Sequence, residues 1–282
     1  MATGTMSVAQ ALQEARESGL PSESPVLDAQ VLLAKVLQRS RTWLLAHPDA
    51  LLTHKQEAAW QAQLQQLLAG EPLPYLVGNW EFFGLHFKVT PDVLIPRPET
   101  EVLVEESITW LQSHPTRRRI LDVGTGSGCI AIALAVHTPG AHVVALDLSP
   151  EALAVAQFNA AVHKVSDRLT FQHGDLLAEV TSSFDLLCAN LPYIPDDLLP
   201  SLDVYAHEPR MALDGGTQGL VLIRRLLHQA PRVLLPGALL LVEIAAEQGN
   251  RARRVAQDVF PHAAINVEAD LAGKPRLLRI ET

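Results

Sequence analysis

The fold of this chain is decided by residues 120–135, which read ILDVGTGSGCIAIALA. A mostly apolar segment leads into a turn with three glycines, and a second apolar segment follows. This order predicts a buried strand, a tight turn and a buried helix, because glycine supplies the positive φ angles of such turns. The free amides at the amino end of such a helix can bind a polar ligand. A turn with a purely structural role is the alternative.

The spacing of these glycines argues against a dinucleotide site. Gly124, Gly126 and Gly128 give the pattern G-x-G-x-G. The dinucleotide fingerprint G-x-G-x-x-G would need glycine at position 129, which is Cys. We expect the turn to bind a different cofactor through five residues, which are Gly124, Thr125, Gly126, Ser127 and Gly128.

Three acids follow the strands around this turn. Asp122 stands two residues before Gly124, and Asp147 ends the next predicted strand, 23 positions after Gly124. That spacing is typical of a carboxylate that binds ribose hydroxyls. Asp175 ends the third strand, where it can accept a hydrogen bond from an adenine amine while Leu176 packs against the ring. Each acid alone could be a cap or a surface charge, but together they favour an S-adenosylmethionine site of class I over an NAD site.

The second half of the chain alternates strands with helices. Strands are predicted at 118–124, 142–148, 169–175, 184–190, 238–245, 263–269 and 275–281. Helices are predicted after Gly126, after Pro150, and near residues 217–234 and 247–258. This alternation predicts an α/β fold with a mostly parallel sheet covered by helices on both faces. Together with the glycine turn and the three acids, it favours the Rossmann-like class I methyltransferase type with a seven-stranded sheet.

The first part of the chain predicts a small helical domain over residues 1–72. Its helices have apolar residues three and four positions apart, with Ser24 and Thr53 as expected N-caps. Residues 73–97 predict a β-hairpin and a linker. The methyltransferase domain is expected over residues 98–282, with a helix beginning near Pro98 or Glu99.

The segment FDLLCANLPYIP, residues 184–195, predicts a buried strand that ends at Asn190. Ligands of open α/β sheets bind at the carboxyl ends of strands. The Asn190 side-chain oxygen and the carbonyl of Leu191 could each accept one N–H of a planar amine or amide, while Tyr193 packs on it. We therefore predict Asn190, Pro192 and Tyr193 as catalytic residues, with Asn190 also beside the cofactor. The alternative is a simple turn covered by Tyr193.

Composition excludes several classes of protein. Hydrophobic residues make up 48% and charged residues 19%, so wholesale disorder is not expected. The net charge of -9 disfavours a protein whose main affinity is for nucleic acid phosphates. No long apolar run or basic leader predicts a membrane span or a signal peptide. Two distant cysteines and scattered histidines predict no disulfide and no metal site, so a cytosolic protein is expected.

The motifs together resemble the release factor glutamine methyltransferases from about residue 70 to the end. The resemblance rests on seven segments: GEPLPYLVGNWEFFGLHF, VLIPRPETE, LDVGTGSGCIAIALA, ALDLS, NLPYIP, YAHEPRMALDGGTQGL and DLAGKPRLLRI. It implies methyl transfer from S-adenosylmethionine to the glutamine of a Gly-Gly-Gln loop in class 1 peptide chain release factors. It also implies that the helical domain helps to hold that partner. No nucleic acid or membrane partner is expected.

The resemblance extends the site and shows two departures. It implies that IPRPETE forms a lid, so the predicted substrate-binding residues are Arg97, Glu99, Asn190, Leu191, Pro192 and Tyr193. The family has Asn-Pro-Pro-Tyr, but position 191 is Leu, which keeps the carbonyl that the chemistry uses. Leu176 occupies a position where an aromatic residue is sometimes found. Glu208 and Arg210 are expected either to pair at the substrate rim or to form a purely structural pair.

Three other functions remain open from the sequence. An adenine N6 DNA methyltransferase would meet the same chemical problem, but it would need a basic face and a base-flipping domain. A glutamine methyltransferase of a ribosomal protein shares most of the motifs. A non-catalytic S-adenosylmethionine-binding scaffold is the third, and the intact Asn190, Pro192 and Tyr193 argue against it.

Overall fold

The computed structural model describes residues 3–270 and 272–282, which divide into the compact units Met1–Asn79 and Trp80–Thr282. The α-helices are α1 (Val8–Glu17), α2 (Pro25–Leu37), α3 (Arg41–Ala46), α4 (His54–Leu68), α5 (Leu73–Val77), α6 (Glu101–Ser113), α7 (Cys129–His137), α8 (Pro150–Val162), α9 (Val221–Gln229) and α10 (Gly249–Val259). The strands are β1 (Thr3–Ser7), β2 (Leu51–Thr53), β3 (Asn79–Phe82), β4 (Leu85–Lys88), β5 (Arg119–Val123), β6 (His142–Asp147), β7 (Leu169–His173), β8 (Phe184–Ala189), β9 (Leu234–Glu243), β10 (Ala264–Ala269) and β11 (Pro275–Glu281). Short 3-10 helices lie at Pro98–Thr100, Ser166–Arg168, Leu199–Ser201, Asp203–Ala206, Arg210–Ala212, Thr217–Gly219, Ala230–Arg232 and Ala246–Gln248.

The unit Met1–Asn79 is built from α1 to α5 and the strand pair β1–β2. Its core contains the fully buried Trp60 together with leucines of α2, α3 and α4. Thr53 caps α4 as predicted and forms a capping box with Gln56. Ser24 occupies the predicted N-cap position of α2, before Pro25 as the first helical residue, but its hydroxyl accepts no hydrogen bond from the helix. Its backbone, at φ -135° and ψ 57°, lacks the extended geometry that directs a cap toward the first free amides.

The unit Trp80–Thr282 contains a seven-stranded sheet in the order β10-β11-β9-β8-β5-β6-β7. The strands β5 to β9 run parallel, whereas β11 is antiparallel to β9 and β10 is antiparallel to β11. All seven predicted strands are present, with β9 beginning at Leu234 and not at residue 238, so the mostly parallel seven-stranded sheet is confirmed. The predicted domain boundaries at residues 72 and 97 stay predictions.

The order of the strands places the functional loops. The chain runs outward from β5 to β6 and β7 on one side, and returns to β8 and β9 on the other. Ligands bind at such a point of reversal, where the loops after the two neighbouring strands separate. The loops that follow β5 and β8 are the glycine turn and the segment from Asn190 onward. Two buried clusters of apolar side chains hold these strands in place.

Several local elements differ in extent from their prediction. The hairpin β3–β4 turns at Phe83 and Gly84, which have φ angles of 52° and 72°. The helix expected near 217–234 is limited to α9, because Gly216, Gln218 and Gly219 have positive φ angles that interrupt its start. In the described part of the chain, no helix is long and apolar enough to cross a membrane.

Candidate active site

A cavity of about 350 Å³ opens at the carboxyl ends of β5, β6 and β8. It brings together Arg97, four residues of the glycine turn, and residues that follow β6, β7 and β8. The predicted residues that line it are Arg97, Gly124, Thr125, Gly126, Ser127, Asp147, Asp175, Leu176, Asn190, Leu191 and Pro192. Gly128, Glu99 and Tyr193, also predicted for the site, lie outside the lining.

The glycine turn approaches the loop after β8 closely. Gly124 has φ 76°, and a Cβ at this position would lie 3.1 Å from Leu191 Cδ2. Gly128 has φ 81°, and its Cβ would lie 3.0 Å from both Ala156 Cβ and Ile132 Cδ1. Gly128 therefore serves helix packing, which is why it does not reach the cavity. A Cβ at Gly126 would meet no atom within 4 Å, so the turn leaves space above Gly126.

Asp147 is fixed by backbone amides on both carboxylate oxygens. Its Oδ2 accepts from Gly126 N at 2.8 Å, and its Oδ1 accepts from Ser149 N at 2.9 Å. Burial raises the pKa of Asp147, and these hydrogen bonds partly oppose the rise. The carboxylate lines the cavity with a fixed orientation and retains a lone pair on each oxygen for a ligand hydroxyl.

Below the turn lies a second acid, Asp122, which is fully buried. Thr125 Oγ1 donates to its Oδ2 at 2.6 Å, whereas Oδ1 has no partner. Burial raises the pKa of Asp122 to about 7. The Ser127 hydroxyl is also buried without a hydrogen-bond partner, and Ser127 lines the cavity. An unpaired buried hydroxyl in a cavity wall is a polar group available to a ligand.

Asp175 and Leu176 form another part of the wall. The Asp175 carboxylate is half-exposed. Its Oδ2 accepts from Arg225 Nη2 at 2.7 Å, so one of its two oxygens is already paired. Leu176 is buried at φ 50°, a positive angle that turns the chain at this point. The wall thus offers one apolar side chain beside one free carboxylate oxygen.

The side-chain amide of Asn190 is held in one orientation. Its Nδ2 donates to Thr100 Oγ1 at 3.0 Å, which leaves Oδ1 as the end available to the cavity. The next residue, Leu191, is 3% exposed, with its side chain against the Gly124 position. Asn190 therefore has a side-chain acceptor available to the cavity, and the Leu191 side chain packs beside the glycine turn.

Tyr193 is anchored away from the cavity. Its hydroxyl donates to Glu243 Oε1 at 3.2 Å, and its carbonyl accepts from Gln248 Nε2 at 2.8 Å. Burial and the nearby Glu243 charge raise the pKa of Tyr193. Gly219 lies against the same carbonyl, since a Cβ there would lie 1.9 Å from it. The predicted packing of Tyr193 on a substrate amide stays a prediction.

The pairing expected between Glu208 and Arg210 is wrong. Glu208 is 6% exposed and accepts from the Arg97 guanidinium and from Ile95 N, the latter at 3.1 Å. Arg210 instead pairs with Asp214 at 3.1 Å, since the two residues lie four positions apart on an exposed turn. The buried Glu208 thus ties the segment that contains Arg97 to the loop after β8, a link that adjacency in sequence could not reveal.

Two residues of this site escaped the sequence analysis, namely Thr100 and Glu243. Glu243 gave a signal, because it is the single charge within the otherwise apolar run ALLLVEIA. Thr100 gave none beyond its place within IPRPETE. Among residues 3–270 and 272–282, no group of three or more His, Cys, Asp or Glu side chains is arranged to hold a metal ion.

Comparisons with known proteins match both units. Residues 8–78 match the family described as PrmC N-terminal domain, and residues 116–266 match the Methyltransferase domain family. A protein of Moorella thermoacetica named release factor glutamine methyltransferase is 43% identical over 276 residues, 96% of this chain and 97% of its own length. One of the same name from Bordetella pertussis is 41% identical, covering 90% of this chain and 93% of its own. The crystal structure of the hMettl16 catalytic domain in complex with MAT2A 3'UTR hairpin 6 has a TM-score of 0.53 and 17% identity over 79% of this chain and 81% of that one, which shows a shared fold.

Proposed function

Because the chain belongs to the release factor glutamine methyltransferase family, we propose that it methylates the side-chain amide nitrogen of a glutamine in release factors. The glutamine is that of the Gly-Gly-Gln loop of class 1 peptide chain release factors. The observation that supports this reaction best is the fixed Asn190 amide, whose Nδ2 is taken by Thr100. Its Oδ1 and the Leu191 carbonyl then form a pair of acceptors suited to the two N–H groups of a primary amide.

The residues of the cavity fit S-adenosylmethionine, the methyl donor of this enzyme class. Asp147 would accept from the ribose hydroxyls, and the free oxygen of Asp175 would accept from the adenine amine, with Leu176 against the ring. The unpaired Ser127 hydroxyl and the space above Gly126 would hold polar parts of the molecule close to the backbone. When bound, the cofactor supplies an electrophilic methyl group on a sulfonium centre.

The protein contributes orientation to the reaction. An amide nitrogen is a poor nucleophile because its lone pair is delocalised into the carbonyl group. Two hydrogen bonds, to Asn190 Oδ1 and to the Leu191 carbonyl, would fix both N–H groups and direct the remaining face of the nitrogen into the cavity. Such positioning accounts for a large share of catalytic rate enhancement. The cavity lining contains no histidine among the described residues, which suits an attack that needs no general base.

The unit Met1–Asn79 is proposed to hold the release factor outside the reacting loop. The support is its match to the PrmC N-terminal domain family over residues 8–78. Kinetics with an intact release factor and with a short Gly-Gly-Gln peptide would test this role. We expect a much higher KM for the peptide, and equal KM values would contradict the role.

A panel of substrates tests the proposed function. Labelled methyl transfer is measured to a purified class 1 release factor, to ribosomal proteins and to duplex DNA. We expect label on the release factor alone, and none on a factor whose Gly-Gly-Gln glutamine is replaced by alanine. Label on DNA or only on a ribosomal protein would replace the proposal by one of those two activities.

A further inference from the structure

A buried carboxylate lies directly behind the proposed acceptor pair. Glu243 is the last residue of β9 and is 1% exposed. Since Ala189 of β8 pairs with Val242 of β9, the residues that follow, Asn190 and Glu243, lie beside each other beyond the paired strands. Burying a carboxylate costs free energy unless hydrogen bonds or opposite charges compensate it. An apolar side chain of similar volume would fill the same space without that cost.

The partners of Glu243 connect it to both ends of the segment from Asn190 to Tyr193. Tyr193 Oη donates to Glu243 Oε1 at 3.2 Å, whereas Glu243 Oε2 is buried without a hydrogen-bond partner. The Thr100 hydroxyl lies close enough to this carboxylate to lower its pKa, so Oε2 is the acceptor available to the Thr100 proton. Thr100 Oγ1 in turn accepts from Asn190 Nδ2 at 3.0 Å. Thr100 is 2% exposed, so water does not compete freely for its hydroxyl.

The direction of these hydrogen bonds decides which end of the Asn190 amide faces the cavity. A threonine hydroxyl can donate or accept, so on its own it would bind the oxygen of a flipped Asn190 amide as readily as the nitrogen. An ionised carboxylate only accepts. When Glu243 takes the Thr100 proton, Thr100 has only lone pairs to offer, and the nitrogen of Asn190 must face it.

We propose that Glu243 is a positioning residue for the methyl transfer, acting through Thr100 to hold Asn190 Oδ1 toward the substrate amide and through Tyr193 to hold the following turn. The proposal rests on the proposed function and adds to it a reason why the acceptor pair is set before the substrate arrives. A flipped Asn190 would present N–H groups to the N–H groups of the glutamine, which would exclude the productive pose.

The groups around Glu243 determine the pH at which its carboxylate is ionised and can hold Thr100 in this orientation. Burial raises the pKa of Glu243 to about 7, and the nearby Thr100 and Tyr193 hydroxyls and the Arg276 charge oppose the rise. The Glu99 charge also raises the pKa of Glu243, and the Glu243 charge in turn acts on the Cys129 thiol. A protonated Glu243 can itself donate to Thr100. The Thr100 proton is then free to bind Asn190 Oδ1, and the direction of both hydrogen bonds is reversed.

Three variants test the proposal in the full-length protein. Glu243→Gln keeps the size but places a donor next to Thr100, and Thr100→Val removes the hydroxyl at constant volume. We expect both to lower kcat for release factor methylation by about 10- to 100-fold, the effect of a misplaced reacting group. The dissociation constant of S-adenosylmethionine should stay within about threefold. Thr100→Ser restores the hydroxyl and should restore kcat.

Two further readouts separate positioning from a merely structural role. The kcat of the wild type should fall as the pH is lowered through the region near 7, and this fall should be absent in Glu243→Gln. By nitrogen-15 NMR, the side-chain amide of Asn190, assigned by its loss in Asn190→Ala, should exchange its protons slowly in the wild type and in Thr100→Ser. Exchange should be faster in Glu243→Gln and Thr100→Val.

The outcomes distinguish this proposal from the proposed function. Wild-type kcat and unchanged Asn190 exchange in Glu243→Gln and Thr100→Val would overturn the positioning role while leaving release factor methylation intact. Loss of cofactor affinity and thermal stability in parallel with kcat would also overturn it, in favour of a structural role. If the wild type transfers no methyl group to a release factor, the proposed function fails, and the exchange measurement alone decides whether Glu243 orients Asn190.

Discussion

Asn190 has a donor and an acceptor on one rotatable amide, and its role depends on which of them faces the cavity. The hydrogen bond from Nδ2 to Thr100 Oγ1 resolves this, because the oxygen is then the free end. The residue type and its place after an apolar strand could be identified from the sequence. The orientation could not, since it is set by Thr100 and Glu243, which lie far from Asn190 along the chain.

Replacing Asn190 by alanine should therefore lower the turnover number and leave the affinity for the cofactor nearly unchanged. We expect Asn190→Ala to lower kcat by about 100- to 1000-fold, comparable to the loss of one preorganised hydrogen-bonding group elsewhere. Calorimetry should show nearly unchanged affinity for S-adenosylmethionine. A parallel loss of affinity and turnover would mean that Asn190 serves mainly to build the cavity.

Asp147 should show the opposite behaviour. Its oxygens are oriented by Gly126 N and Ser149 N toward a ligand with hydroxyl donors. Asp147→Asn keeps the shape but replaces one acceptor by a donor, so we expect cofactor affinity to fall by about 10- to 100-fold, the value of a hydrogen bond to a charged group. Affinity equal to that of the wild type, measured by calorimetry, would exclude Asp147 from the ribose site.

At the scale of elements, the glycine turn and the loop after β8 depend on each other. The sequence predicts both, since strand, turn and helix follow from the apolar pattern and the glycines. It does not predict that Leu191 packs against the Gly124 position, because that contact arises only when β5 and β8 are neighbours. For the same reason the partner of Glu208 is Arg97, on a distant segment, and not the nearby Arg210.

A matched pair of variants tests this contact. Gly124→Ala would force a side chain into φ 76° and place its Cβ 3.1 Å from Leu191 Cδ2. Gly126→Ala would meet only the backbone strain of φ 54°, since nothing lies within 4 Å of its Cβ. We expect Gly124→Ala to lower the free energy of unfolding by about 2–4 kcal/mol and Gly126→Ala by about 1–2 kcal/mol. Urea unfolding measures both, and equal losses would show that Leu191 moves aside freely.

At the scale of the whole molecule, the topology was predictable and the network of buried charges was not. Seven strands alternating with helices predict the sheet, and the family resemblance implies its order. Buried acids such as Asp122 and Glu243 gain their properties only when the sheet encloses them. Burial raises the pKa of each to about 7, from ordinary values of 3.8 and 4.5.

These raised pKa values make stability depend on pH with a definite sign. Between about pH 4.5 and pH 7 the folded protein keeps protons that the unfolded chain has released, so stability falls as the pH rises. We expect the cofactor-free protein to lose about 1 kcal/mol or more of unfolding free energy between pH 5 and pH 7.5, measured with urea. Glu243→Gln should reduce this loss. The backbone amide of Lys274 lowers the pKa of Asp270, so this residue changes the pH dependence of stability only at lower pH. Stability that rises over the same interval would contradict the burial of these acids as ionisable groups.

Locating the transferred methyl group tests the proposed reaction most directly. A class 1 release factor is incubated with the protein and S-adenosylmethionine, digested, and examined by tandem mass spectrometry. We expect one added methyl group on the side-chain nitrogen of the Gly-Gly-Gln glutamine, and none when Asn190→Ala replaces the wild type. A methyl group on another residue, or an unmodified release factor in the presence of active wild-type protein, would contradict the proposed reaction.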